Sequence, residues 1–158
     1  MNILHDLVSK DGFREIMESH CEELISYLFD EDMEFSILTS LSNITFEPPL
    51  PEYITKEFKP ITLFTLAGYT YESSRLDEGI LSFEAGFGRE NFGSLVSVPL
   101  YAILQVIIEN TPIFINLATP PDPEKKVKKS KDKKEGVQKS MDIFLSNPNN
   151  KKLLKKRR

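Results

Sequence analysis

The sequence predicts an α+β fold: a small antiparallel β-barrel or half-barrel with an N-terminal amphipathic helix and a disordered basic C-terminal tail. Three observations lead there. Apolar residues recur at helical spacing from Phe13 to Leu28, the rhythm shortens to two from Phe35 onward, and past Thr119 apolar residues thin out while the charge inverts.

The helix comes first. Phe13, Ile16, Met17, Cys21, Leu24 and Leu28 fall on one face, and Asp11 stands where a capping residue belongs. Glu15, Glu18, Glu22 and Glu23 lie off that stripe and belong to the solvated side, and Asp30-Glu-Asp32 closes the helix in acid. Phe35, Ile37 and Thr39 then alternate with Glu34, Ser36 and Leu38 as a strand, and Ile44 and Phe46 make a second, short one. Pro48-Pro49-Leu50-Pro51 forbids helix and ladder alike and reads as a loop. Ile61 to Leu66 is β-branched and aromatic, bounded by Pro60 and Gly68, and reads as a strand.

Between Gly79 and Gly88 another strand places Leu81, Phe83, Ala85 and Phe87 on one face, with Ser82, Glu84 and Gly86 on the other. Gly93 to Val98 returns as its partner, and the glycines around Arg89-Glu-Asn91 suit a hairpin turn. Pro99 is expected to open a short helix over Leu100 to Asn110, and Thr111 to Leu117 a last strand.

The chain of 158 residues carries 20 basic and 24 acidic side chains, a net of −4 that hides a division. Residues 1–120 hold 6 basic and 19 acidic residues; from Pro121 onward there are 14 basic and 5 acidic ones, so an acidic body at −13 precedes a tail at +9. Three parts are expected: a body over 1–118, a basic linker over 119–150 that cannot repay its ordering entropy, and a terminal segment over 151–158. No apolar run reaches the ~18 residues of a membrane span, and the N-terminus lacks the basic and apolar regions of a secretory signal. Cys21 is the single cysteine, so no internal disulfide or multi-thiolate metal site exists, and Asn43-Ile-Thr45 reads as a chance sequon. A reducing, cytoplasmic setting is expected.

Catalytic chemistry finds no constellation. His5 and His20 are the only histidines, His20 and its neighbour Cys21 point about 100° apart on a helix, and no pair has metal-ligand spacing. Gly86 to Gly93 is glycine-rich but joins two strands instead of opening a helix, which removes a phosphate cradle. No enzyme activity, cofactor or metal is expected.

Leu81-Ser-Phe-Glu-Ala-Gly-Phe-Gly88, a turn, then Val96-Ser-Val-Pro-Leu100 and the apolar run to Asn110 resemble the SspB family, adaptors that deliver ssrA-tagged proteins to the ClpXP protease. The family pattern reads roughly V-R-F-N-A-R-F-G-G, a turn, V-S-V-P-L-A-A-V and a short helix. The resemblance spans about residues 12 to 118 and is strongest over Leu81–Leu100. It implies an Sm-like β-barrel with one long helix. It implies that ssrA-type tags or other peptide signals lie in an apolar groove against Ala85, Phe87, Gly88, Phe83, Val96 and Val98. A homodimer through Phe13, Ile16, Met17 and Leu24 follows from the same likeness, as does docking on the ClpX unfoldase through Leu153, Leu154, Lys155 and Arg157. Glu84 replaces the pattern's Asn and Gly86 its Arg, making this strand more negative. Without the resemblance, alternating Phe83, Ala85 and Phe87 read simply as core.

The alternative is an Sm-like nucleic-acid-binding protein using the basic tail. The tail has only Phe144 for base stacking and the acidic body repels a polyanion, so the linker is expected to act as a solvated spacer.

Overall fold

The computed structural model describes residues 2–121. The expectations for the linker past Pro121 and for the terminal segment, Leu153, Leu154, Lys155 and Arg157 included, lie outside the described residues.

Two helices open the chain. α1, Ile3–Val8, is capped by Asn2, whose side chain accepts from the His5 N–H at 3.0 Å. It was not anticipated from sequence, because six residues are too few to display a period. α2, Asp11–Asp30, is the expected amphipathic helix. Asp11 is not its cap. Lys10 holds that position without a side-chain bond, and the Asp11 carboxylate instead meets Arg14 Nη1 at 2.9 Å within the first turn, where the helix dipole also favours an acid. Cys21, Ile25 and Leu28 are buried, Met17 and Leu24 pack beside them, and Phe13 is half-buried. Ile16, on the same stripe, is 62% exposed.

Eight strands follow. β1 (Phe35–Ser40), β2 (Thr45–Glu47), β3 (Ile61–Leu66), β4 (Arg75–Asp77), β5 (Ile80–Phe87), β6 (Phe92–Pro99), β7 (Ile103–Ile108) and β8 (Thr111–Ile115) form two antiparallel four-stranded sheets. The first has the order β3-β1-β7-β8, the second β2-β6-β5-β4. The strands remain two open sheets and do not close.

The chain changes sheet four times, and the first and last of these corners are single 3-10 turns: Leu41–Asn43 between β1 and β2, and Leu100–Ala102 between β6 and β7. The last corner, with β7 after it, replaces the helix expected over Leu100–Asn110. Ile103, Val106, Ile107 and Ile108 are β-branched and lose side-chain freedom in a helix, whereas a strand accommodates them. Glu109 and Asn110, both at positive φ (50° and 70°), make the two-residue turn into β8. β8 stops at Ile115 rather than Leu117. Asn116 turns inward there, donating to the Ile103 carbonyl at 3.2 Å and accepting from the Ala118 N–H at 2.9 Å.

One core fills the space between the sheets and α2. Phe35, Ile37, Phe64, Leu66, Ile103, Val106 and Phe114 face it from the first sheet, Leu81, Phe83, Val96 and Val98 from the second, and Cys21, Ile25 and Leu28 from the helix. Phe64 and Phe83 meet edge-on at 5.6 Å across the gap between sheets. Thr39, fully buried, satisfies its hydroxyl on the Thr62 carbonyl at 2.8 Å. After β8 the chain returns to α1, with the Thr119 N–H on the Val8 carbonyl at 2.8 Å and Arg14 Nε on the Thr119 carbonyl at 3.2 Å.

Candidate functional site

The hairpin of β5 and β6 is the expected one, paired from Ile80↔Pro99 to Phe87↔Phe92. Its turn uses Gly88 at φ 73° and Asn91 at φ 53°. A β-carbon on Gly86 would coincide with the Asn91 amide, which lies over that backbone. Glycine at 86 is therefore what lets the turn fold back on its own strand.

A cavity of about 580 Å³ lies against this hairpin, lined by Glu84, Ala85 and Gly86 of β5 and by Gly93, Ser94 and Leu95 of β6, with Asn91 at the turn. Two flanking segments wall it. On one side stand Glu47 and Pro48, joined by a cis peptide, and Ser94 Oγ donates to the Pro48 carbonyl at 2.9 Å to hold that loop. On the other stand Tyr69 and Thr70 of α4 (Tyr69–Glu72). Gly68, at φ 58°, turns the chain into α4, and its N–H is held by the Glu34 carboxylate at 2.5 Å.

The floor is made of small residues. Ala85, Gly86, Gly93 and Ser94 are neighbours across the hairpin, where a second backbone can approach closely. The only charged residues in the lining are Glu47 and Glu84. Tyr69 Oη donates to the Glu84 carboxylate, and that hydrogen bond and the carboxylate's charge raise the tyrosine's pKa above 10.0.

One edge is open. β4 pairs only with Ile80, Leu81 and Ser82, so from Phe83 to Phe87 the ladder leaves β5 without a strand on that side. Ser73 Oγ accepts the Glu84 N–H at 2.9 Å, as a side chain standing where a strand would continue.

The six residues expected at a groove fall in three places. Ala85 lines the cavity. Phe83, Val96 and Val98 are fully buried between the sheets and have no surface to offer a peptide; for Phe83 this is the core reading given above. Phe87 sits in an aromatic cluster, with Phe46 and Phe58 each at 5.8 Å and Phe64 at 6.3 Å, and Gly88 lies beneath Ile54 of α3 (Glu52–Thr55). Of the residues expected at a dimer face, Met17 and Leu24 pack on the core, Phe13 is half-buried and only Ile16 is well exposed. Sequence reasoning missed Glu47, Pro48, Tyr69 and Thr70. They enter from the end of β2 with the proline after it and from the start of α4, and the proline run was the only signal for any of them.

Among the described residues, no group of three His, Cys, Asp or Glu is placed to hold a metal, and no helix is long and apolar enough to cross a membrane. Comparison with known proteins finds no matching family model, no matching curated protein and no matching solved structure.

Proposed function

We propose that the body is a peptide-binding domain of the SspB type, with an Sm-like arrangement of its strands, and that the protein is a cytoplasmic, non-enzymatic adaptor. It holds ssrA-type or related peptide signals and tethers their owners to the ClpXP protease through the C-terminal tail. The observation that carries this reading is the groove itself. A floor of Ala85, Gly86, Gly93 and Ser94 borders an unpaired stretch of β5, and the cavity is large enough for a short extended peptide. Small floor residues admit a peptide backbone, the unpaired edge of β5 past the Glu84 N–H that Ser73 holds offers it main-chain hydrogen bonds, and the walls from Pro48 and Tyr69 offer contact to its side chains.

The charge supports a further specification. With Glu47 and Glu84 in the lining and no Lys or Arg, the groove favours a peptide bearing a cationic group and disfavours an acidic one. The same two carboxylates weigh against a polyanion at this site, which leaves the nucleic-acid alternative without support from the described residues. Tethering works by multivalency: a weak groove contact and a weak tail contact reinforce each other when one chain carries both.

The test is fluorescence anisotropy of labelled ssrA-type peptides with the full chain, in wild type and in Ala85→Gln. Saturable binding is expected, lost in Ala85→Gln while its circular dichroism stays native, and only mildly reduced by salt. A folded Ala85→Gln protein that binds as well as wild type removes the groove from the function. Binding by nucleic acid alone, with a steep salt slope, replaces the adaptor by the alternative.

A further inference from the structure

The outer faces of the two sheets differ in kind. The second sheet presents Arg75, Asp77, Glu84 and Glu47 to solvent beside its apolar residues, as a wetted sheet does. On the first sheet, the outward positions are Ile61, Leu63 and Thr65 on β3; Ser36, Leu38 and Ser40 on β1; Gln105 and Ile107 on β7; and Ile113 and Ile115 on β8. None is charged, in a chain that is 28% charged. The register places Leu63, Leu38, Gln105 and Ile115 in one row across all four strands. Leu63 is 53% exposed, Ile61 and Ile115 54% each, and Ile113 44%. The hydroxyls on this face turn to each other, Ser36 Oγ bonding Thr65 Oγ1 at 3.1 Å.

We propose that this face is a two-fold interface between copies of the chain. The occupant follows from charge. The described body carries a net of about −13, so a second body of the same sign is repelled from every side that displays its carboxylates. In a two-fold contact the same patch meets itself, so a charge on the face would be desolvated on both copies at once. A face without charges is a surface on which two such bodies can meet without that cost. A basic partner would call for acidic residues here and an acidic partner for basic ones, and the face has neither. Two such uncharged sheet faces then pack as in a β-sandwich, with the sheets about 10 Å apart.

The area sets the strength. Four strands about 4.8 Å apart and five residues long give roughly 300 Å² in projection. That is well below the ~800 Å² each partner contributes to a standard interface, which makes the contact a weak and reversible one. The interface uses none of the groove residues and does not rest on the peptide-binding reading. It also differs from the helix face expected from sequence, whose Met17 and Leu24 are already packed against the chain's own core.

The experiment is sedimentation velocity of the full chain from about 1 to 200 µM, a span that covers weak dimers, repeated at high salt. The chain is expected to pass from monomer to dimer, and high salt to leave the dimer intact. Leu63→Glu and Ile115→Glu should each weaken it at least about 30-fold by burying a carboxylate on both copies in an uncharged contact. Leu63→Thr, which keeps the β propensity, should weaken it less and serves if a glutamate variant proves unfolded by circular dichroism. Ile16→Glu, on the helix, should change nothing. A wild-type monomer throughout, a dimer that high salt dissolves, a dimer indifferent to folded Leu63 and Ile115 variants, or one broken by Ile16→Glu overturns the proposal.

Discussion

Phe83→Ala separates the residues that build the hairpin from those that present it. Phe83 is fully buried and meets Phe64 edge-on across the gap between sheets. Truncation removes a whole aromatic ring and leaves a cavity that neither sheet can close without shifting its register partners. For such a site the loss is about 3–5 kcal/mol, a large part of the total stability of a domain this size. At roughly 4 °C per kcal/mol, the melting temperature falls by about 12–20 °C. The chain has no tryptophan, so the assay is urea or thermal unfolding followed by far-ultraviolet circular dichroism. Peptide affinity, measured well below the new midpoint, should change little, because the ring does not reach the cavity at the hairpin. A loss below about 1 kcal/mol would refute the placement of Phe83 as the bridge between sheets. Native stability with abolished peptide binding would move the ring into the groove and refute the reasoning from the other side.

Other expectations follow from single residues. Cys21 is fully buried, and burial together with Glu18 and Glu22 pushes its thiol up to about 12, so a thiol reagent at mildly alkaline pH should react only as fast as the protein opens; labelling of the native protein at the rate of a free thiol would contradict its burial. Tyr69 titrates above 10.0, its neutral form favoured by the hydrogen bond to Glu84 and by that carboxylate's charge. Any stability from this pair is therefore complete below pH 10 and is lost as pH rises through the raised value, and in Glu84→Gln a phenolate-absorbance titration should show one of the five tyrosines ionising earlier. Gly88→Ala should cost about 1–2 kcal/mol in urea unfolding, because φ 73° disfavours a side chain and the new β-carbon would stand 3.3 Å from Ile54 Cγ1; an unchanged midpoint would show that the turn relaxes freely.

Legibility in the sequence followed the range of each signal. α2, β1, β3 and the β5–β6 hairpin announced themselves through repeating patterns and glycines at the turn, and the structure has them at nearly the expected bounds. β7 did not: a proline followed by an apolar run fits a buried strand as well as a short helix, and only the Glu109–Asn110 turn and the pairing with β1 decide between them. β4 and α4 have three and four residues, too few to show a period. Ala85 was legible because one motif contained it. The walls around it were not, since Glu47, Pro48, Tyr69 and Thr70 meet only once both sheets exist. The contrast between the two outer faces was likewise invisible, because a row such as Leu63, Leu38, Gln105 and Ile115 is assembled by register and not by sequence.

The corners that carry the chain from one sheet to the other also bear on its synthesis. Because the chain changes sheet four times, first at Leu41–Asn43 and last at Leu100–Ala102, neither sheet is built from one continuous stretch. β1 meets β3 early, with Ile37 opposite Phe64, but its other flank waits for β7, where Ile37 faces Val106. On a ribosome, the N-terminal half of the body therefore emerges with an apolar strand uncovered on one side, and it stays so until nearly the whole body has been made. The β5–β6 and β7–β8 hairpins are local and close within microseconds of emerging. The slow event is the return of the C-terminal hairpin to β1, a closure over most of the body's length. A nascent chain stalled before Ile103 should bind chaperones or aggregate, whereas one released just past Leu117 should fold in a single cooperative step.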